Sequence, residues 1–348
     1  GLLPVVLGYR DADVDAAIAA QLANGISFSL ATELEIALAE RLVEIIPCAE
    51  MVRYGKNGSD ATAAAVRLAR AYTRRDRIAV SGYHGWQDWY IGTTTRNSGV
   101  PQAVSALTHS FPAGDGAALD ALLRRYPGEF AAIVVEPMTA LEPGAESFQA
   151  LADLVHHHGA LLIFDEIVTG FRYALGGVQE LIGVTPDLAC FGKAMANGMP
   201  LSAVVGRAEI MREMEEIFFS TTFGGEAVSL AAAIAVVDKM RREPVIETLW
   251  RNGERLATAT SRRITEHGLD EVLALHGEPP WMRWNITGQP GARQEAIRTL
   301  LLTEIIRRGV LTLGSHNMCY AHNDADIETV LAAYDGALGV LRTALDGG

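Results

Sequence analysis

Asp165 closes the run Ala-Leu-Leu-Ile-Phe-Asp-Glu-Ile, and Lys193 closes Asp-Leu-Ala-Cys-Phe-Gly-Lys-Ala. Each run is short and apolar, so each reads as a buried strand carrying a charge at its downstream edge. Open α/β sheets build their ligand sites at that edge. A lysine amine there can form a Schiff base with an aldehyde, and a carboxylate can keep a ring nitrogen protonated. The two together suit pyridoxal 5′-phosphate (PLP). Taken singly, each residue reads more readily as a strand-end charge or half of a surface ion pair, and only the two together overturn that.

Other segments could complete such a site. Asn57-Gly58-Ser59-Asp60-Ala61-Thr62 stands before an alanine-rich helix running to about Thr73. Its backbone N–H groups, the helix dipole and the Ser59 hydroxyl would bind a phosphate. A plain Ser or Asp N-cap gives the same pattern. Gly55-Lys56 does not make a P-loop, because Glu50 stands where glycine is required and Asn57 where Ser or Thr must hold magnesium. Gly82-Tyr83-His84-Gly85 follows a strand expected at 78–81. An aromatic at such an end can lie flat on a planar ring, which is favourable by ~0.5–1.5 kcal/mol. The alternatives are core packing for Tyr83 and a satisfied surface imidazole for His84. Ser220–Gly225 is rich in hydroxyls and glycine, as a second phosphate contact or a flexible turn would be. His156-His157-His158 does not read as a metal site. Consecutive helical residues point about 100° apart, and no HExxH or cysteine partner adjoins them.

The elements that must position these groups follow from hydrophobic spacing. Residues 13–23 and 32–46 have helical periodicity, and Pro47 stops the second helix. The short segment Met51–Tyr54 leads into the phosphate-like turn. Strands at 78–81, 132–136, 160–165, 188–192 and 203–206 alternate with helices at 116–125, 147–158 and 207–216. That alternation predicts an α/β fold with a mostly parallel sheet. After Gly225 a long apolar helix (about 226–241) leads to amphipathic helices and strands near 271–276, 281–285 and 310–313. Residues from about 236 onward therefore read as a smaller α+β domain.

Composition narrows the function. The 348 residues carry a net charge of −13, which argues against binding nucleic acid or anionic membrane, since both need basic patches. Cys48, Cys190 and Cys319 lie far apart without a CxxC spacing and read as reduced core thiols of a cytosolic protein. The longest uncharged apolar stretch, Val228–Val237, is shorter than the ~20 residues of a membrane span. The chain opens without a charged-then-apolar signal. A soluble, cytoplasmic protein is the expectation.

These motifs resemble, in colinear order from about residue 3 to 340, the class III (subgroup II) aminotransferases of PLP fold type I, especially the glutamate-1-semialdehyde aminomutase branch. The similar stretches are Gly58-Ser59-Asp60-Ala61-Thr62 with Ala69-Arg70, Tyr83-His84-Gly85, Val135-Glu136-Pro137 and Asp165-Glu166 with Thr169-Gly170-Phe171-Arg172. They continue through Gly176–Glu180, Gly183–Asp187, Gly192-Lys193 with Asn197–Pro200, and Thr222–Gly225.

The resemblance implies a seven-stranded, mostly parallel sheet in a large domain (28–235) and a small C-terminal α+β domain (236–348). An N-terminal segment (1–27) would pack with the small domain. It implies that Lys193 carries PLP and shuttles the proton, and that Asp165 pairs with the ring nitrogen. Ile167 and Tyr83 would cover opposite ring faces, and Glu136 would sit near the phenolic oxygen. Gly58 and Ser59 would hold the phosphate, and Asp60 and His84 count among the cofactor contacts. Thr222 would reach the partner's phosphate in a homodimer with shared active sites. The implied activity is amino transfer from an amino donor to an aldehyde or ketone. Its alternatives are an intramolecular aminomutase of glutamate-1-semialdehyde type and a non-catalytic PLP-fold binding protein.

Departures from the pattern bear on the substrate. Similar chains carry several dozen residues ahead of Gly1 that shape the pocket. The aminomutase branch has an acidic residue shortly before its Ala-His-x-Asp-x-Asp-Ile tail, whereas Gly314–Tyr320, ahead of Ala321–Ile327, has none. The stretch Trp86-Gln87-Asp88-Trp89-Tyr90 suits a cyclic acceptor. Sugar or antibiotic-precursor aldehydes and amino-acid semialdehydes are the classes left open.

Overall fold

The protein is described from a computed structural model covering residues 1–137, 144–287 and 291–347. Seven strands make the main sheet: β1 (Met51–Gly55), β2 (Arg77–Ser81), β3 (Thr108–Ser110), β4 (Phe130–Val135), β5 (Leu161–Asp165), β6 (Leu188–Phe191) and β7 (Ser202–Gly206). Their order is β1-β7-β6-β5-β4-β2-β3. The run from β3 to β6 is parallel, and β7 is antiparallel to both β6 and β1. Every residue of β4, β5 and β6 is buried, which is why these strands read as unbroken apolar runs rather than alternating ones. Asp165 pairs with Cys190, so the ends of β5 and β6 lie side by side, with Lys193 three residues past that pairing. β3 had no sequence signal: three residues, two of them hydroxyl-bearing, are too few to show a period.

Small side chains set the packing on this sheet. Ala61, Ala64, Ala65 and Ala69 of the Gly58–Thr73 helix share one buried cluster with Ile163, Cys190 and Val204. The helix expected at 207–216 is instead a short α-turn, Ala208–Met211, followed by a 3-10 turn, Arg212–Glu215. Glu209 and Glu213 would be like charges one α-turn apart, which disfavours continuation.

The chain divides into two compact units, one of residues 1–6 and 10–243, the other of 7–9 and 244–348. The boundary falls later than the expected 235/236 because the Ala227–Arg242 helix runs unbroken. Residues 1–27 were expected with the small domain. The Ala12–Asn24 helix packs instead on Ala227–Arg242 within the larger unit. Lys239 holds it there through Asp11 (2.7 Å) and Asp13 (3.2 Å). Only Leu7–Tyr9 falls in the smaller unit.

The smaller unit contains the antiparallel strands β8 (Leu273–Glu278), β9 (Trp281–Ile286) and β10 (Ser315–Asn317), with helices Val245–Glu266, Ala292–Arg307 and Asp324–Asp346. Its third strand lies at 315–317 and not at 310–313. Gly314 turns there at φ +92°, its N–H donating to the Thr312 hydroxyl at 3.0 Å, and Leu311 and Leu313 are left exposed.

His316 of β10 is buried against the rings of Trp284 and Tyr334, with centroids 5.9 and 5.2 Å away. Neither of its ring nitrogens has a hydrogen-bond partner among the described residues, and burial pushes its pKa down to about 4. The unfolded chain titrates near pH ~6.5. On acidification it therefore takes up a proton that the folded unit refuses, and stability falls as pH drops through that window. The expected loss between about pH 7 and about pH 4 is roughly 3 kcal/mol. Urea midpoints measured across that range should show this slope, and His316→Phe should remove most of it.

Candidate active site

Asp165 is fixed from two sides. Its Oδ1 accepts from the Ile167 N–H at 3.1 Å, and its Oδ2 lies 2.8 Å from His84 Nδ1. His84 Nε2 is 3.1 Å from the Ser81 carbonyl. A carbonyl only accepts, so Nε2 carries a hydrogen. Both polar atoms of His84 are thus taken, and the ring stacks on Trp89 at an interplanar angle of 16°. His84 was expected as a cofactor contact. Its ring nitrogens face Asp165 and the Ser81 carbonyl.

Lys193 follows Gly192 with φ +42°, a left-handed conformation that costs a side-chain-bearing residue about 1 kcal/mol or more and clusters at functional sites. The chain has three lysines. Lys56 pairs with Glu226 and Lys239 with Asp11. Among the described residues, Lys193 alone of the three has no carboxylate partner. Burial lowers its pKa, a shift the charges of Asp165 and Glu136 partly oppose and that of Arg172 reinforces. Lowering moves the amine toward its neutral, nucleophilic form.

Close approaches gather the other candidates around this pair. A Cβ on Gly58 would lie 3.0 Å from Ile167 Cγ2, and one on Gly192 would lie 3.3 Å from Ile167 Cδ1. Ile167 therefore sits between the 57–60 turn and the Lys193 strand end. A Cβ on Gly85 would fall 2.3 Å from Ser59 Oγ, which also accepts from the Trp86 N–H at 3.2 Å. Gly82 turns at φ +108° against Glu136, whose Oε2 accepts from the Tyr83 N–H at 2.9 Å. Tyr83 is 60% exposed and stands edge-on to Tyr90.

The turn itself is shaped by Asp60. Its Oδ2 accepts from the amides of Lys56 (3.1 Å) and Asn57 (2.8 Å). Asp60 was also expected among the cofactor contacts; its carboxylate bonds the backbone of the turn. The Gly58 and Ser59 amides open the helix and have no acceptor inside it. Gly58, Ser59, Tyr83, Glu136, Asp165, Ile167 and Lys193 therefore converge at one edge of the sheet. Thr222 does not join them; it is exposed, on the loop ahead of the Ala227–Arg242 helix.

Two residues escaped the sequence reading. Glu166 is fully buried and accepts from the Thr169 hydroxyl and from the amides of Val178 (2.9 Å) and Gln179 (3.1 Å). Burial raises its pKa. It pins the turn that follows Asp165, and only its adjacency to Asp165 could have hinted at that. Ser202 is buried beside Gly55 with a hydroxyl that has no partner. The histidine run separates as expected for neighbours on a helix: His156 meets Asp187 at 2.8 Å and His158 meets Asp120 at 3.4 Å.

The seven-stranded, mostly parallel sheet with its second small sheet is the fold of PLP fold type I transaminases. Residues 1–321 match the class III aminotransferase family, and the chain belongs to it. It is a PLP-dependent transaminase. It is 34% identical to the 3-aminobutyryl-CoA aminotransferase of Cloacimonas acidaminovorans over 98% of this chain and 84% of that protein. With the glutamate-1-semialdehyde 2,1-aminomutase of Roseiflexus castenholzii it shares 38% identity, over 98% and 85%. An omega-transaminase from Sphaerobacter thermophilus has the same fold with a TM-score of 0.90, at 27% identity over 98% of this chain and 85% of that one. The FumI protein of Sphingopyxis sp. MTA144, solved with PLP, gives 0.88 at 28% identity over 99% and 83%.

The residues present fit this cofactor. Glycines at 58, 82 and 85 let Ile167, Glu136 and Ser59 approach the backbone where any side chain would collide with them. The open amides of Gly58 and Ser59 suit a phosphate, and the unpaired amine of Lys193 suits an aldehyde.

Proposed function

We propose that this chain moves an amino group from one molecule to the aldehyde or ketone of another, with Lys193 and Asp165 as its catalytic residues. The observation that carries this reading is the half-buried Lys193 amine, without a carboxylate partner among the described residues, at the strand end beside Asp165. PLP, when bound, supplies an electrophilic aldehyde and a ring that accepts electrons.

The protein's residues do the rest. Gly58 and Ser59 bind the phosphate through their amides, aided by the helix dipole. Ile167 and Tyr83 would bracket the cofactor's ring. Glu136, oriented by the Tyr83 amide, would serve its phenolic oxygen. Asp165, held by His84 and the Ile167 amide, keeps a proton on the ring nitrogen, because an adjacent negative charge favours the protonated form. The Lys193 amine takes the proton from the substrate carbon and returns it.

Thr222 serves the phosphate of a second copy in a homodimer. Its exposed loop carries Phe218 and Phe223, 81% and 55% exposed, which a partner chain would cover. A cytoplasmic setting is supported by the three free cysteines and the acidic charge; no helix among the described residues is long and apolar enough to cross a membrane. The acceptor is an aldehyde or ketone other than glutamate semialdehyde, given the missing carboxylate ahead of His322 and the aromatic stretch 86–90.

The second reading, intramolecular aminomutation, is favoured by the likeness to the Roseiflexus castenholzii protein. An isotope experiment separates the two. With a ¹⁵N-labelled amino donor and a panel of aldehydes, intermolecular transfer places the label in the product. Isomerisation of glutamate-1-semialdehyde with no label incorporated would establish the aminomutase instead.

A further inference from the structure

The loop that carries Thr222 is strapped to β1 and to Lys56, the residue that follows it. At its start, Arg53 Nη2 donates to the Phe219 carbonyl at 3.3 Å. Near its middle, Gly224 lies so close to β1 that a Cβ there would come within 3.0 Å of the Tyr54 carbonyl. At its end, Lys56 Nζ donates to Glu226 Oε2 at 3.0 Å and to Ser229 Oγ at 3.2 Å. The Lys56 and Glu226 side chains are only 13% and 11% exposed. Glu226 also accepts from the Val228 and Ser229 amides, so the same carboxylate fixes the start of the Ala227–Arg242 helix.

The other end of this strap is the phosphate turn. The Lys56 amide is bonded to Asp60, and Lys56 is the residue immediately before Asn57-Gly58-Ser59. One backbone stretch, 53–57, thus anchors both the turn that would bind this chain's own phosphate and the loop that would complete the partner's. A charge pair this buried tolerates little displacement of one member without the other, because separating the two leaves a charge uncompensated.

We propose that Lys56, Glu226 and Ser229 are positioning residues that couple the two cofactor sites of the dimer. Phosphate binding at Gly58 and Ser59 sets the position of Lys56. Through Glu226 that sets the loop bearing Thr222, which then meets the partner's phosphate already ordered. Loading of the first site thereby favours loading of the second. The inference rests on the reading of Thr222 as a contact to the partner's phosphate.

The test is a titration of cofactor-free protein with pyridoxamine 5′-phosphate, followed by tryptophan fluorescence, with light scattering on the same samples. The expected result is a dimer whose saturation curve has a Hill coefficient clearly above about 1, since coupling between sites typically changes affinity by 5- to 150-fold. The double variant K56M/E226Q, which removes both charges together and leaves neither orphaned, should remain dimeric. It should bind with a Hill coefficient of about 1 and about 10-fold more weakly. Lys56→Arg, which keeps the ion pair, should keep the cooperativity. A wild-type dimer that binds without cooperativity, or a double variant that retains it, overturns the coupling and leaves the shared site standing. A wild-type monomer that binds the cofactor fully overturns the shared-site reading and the coupling with it.

Discussion

Lys193→Ala is expected to lower amino transfer by about 10⁴-fold or more, because attachment of the cofactor and movement of the proton both reside on this amine and a general base alone contributes ~10²–10⁴. The near-visible absorbance of cofactor bound to an amine should vanish with it. The fold should survive. The side chain is only half-buried and makes no ion pair among the described residues, so its loss orphans no charge. Thermal unfolding checks this, and the midpoint of the variant should stay within a few degrees of wild type. Turnover within tenfold of wild type would mean that another group does this work.

Asp165→Asn should slow the chemical step by roughly 10²–10³-fold, the usual cost of removing one preorganised electrostatic partner. Cofactor binding should change far less. The local structure can absorb the substitution. The amide oxygen can accept from the Ile167 N–H in place of the carboxylate, and His84 Nε2 keeps its bond to the Ser81 carbonyl. What is lost is the negative charge that holds the proton on the ring nitrogen. A single-turnover measurement of the half-reaction with the amino donor isolates this step from cofactor affinity. A near-wild-type rate would show Asp165 to be structural only.

The elements that position the site were the most legible parts of the sequence. β4, β5 and β6 are buried on every residue, so their apolar runs stand out without any knowledge of neighbours. The strand-end placement of Asp165 and Lys193 follows from the same runs. What the sequence hid was the direction of hydrogen bonds. Nothing in the identity of Asp60 says that its carboxylate turns back to the Lys56 and Asn57 amides. Likewise, the type of His84 does not reveal that Asp165 and Ser81 occupy both nitrogens.

Long-range contacts hid the rest. The Lys56–Glu226 pair joins residues 170 apart. The bond from Lys239 to Asp11, which caps the Ala12–Asn24 helix, joins residues 228 apart. β10 was misplaced because Val310–Leu313 looks more strand-like than Ser315–Asn317. The turn at Gly314 depends on a side-chain bond from Thr312 that carries no periodic signature.

The central claim is that Lys193 alone of the three lysines carries the cofactor. Lys56 and Lys239 are each held by carboxylates, and an ammonium kept charged in an ion pair is a poor nucleophile. Reduction of the PLP-loaded protein with borohydride makes the amine–cofactor bond permanent, and peptide mass mapping then locates it. One pyridoxyl group per chain is expected, on the peptide containing Lys193, with Lys56 and Lys239 unmodified. A pyridoxyl group on Lys56 or Lys239, with Lys193 untouched, would contradict it.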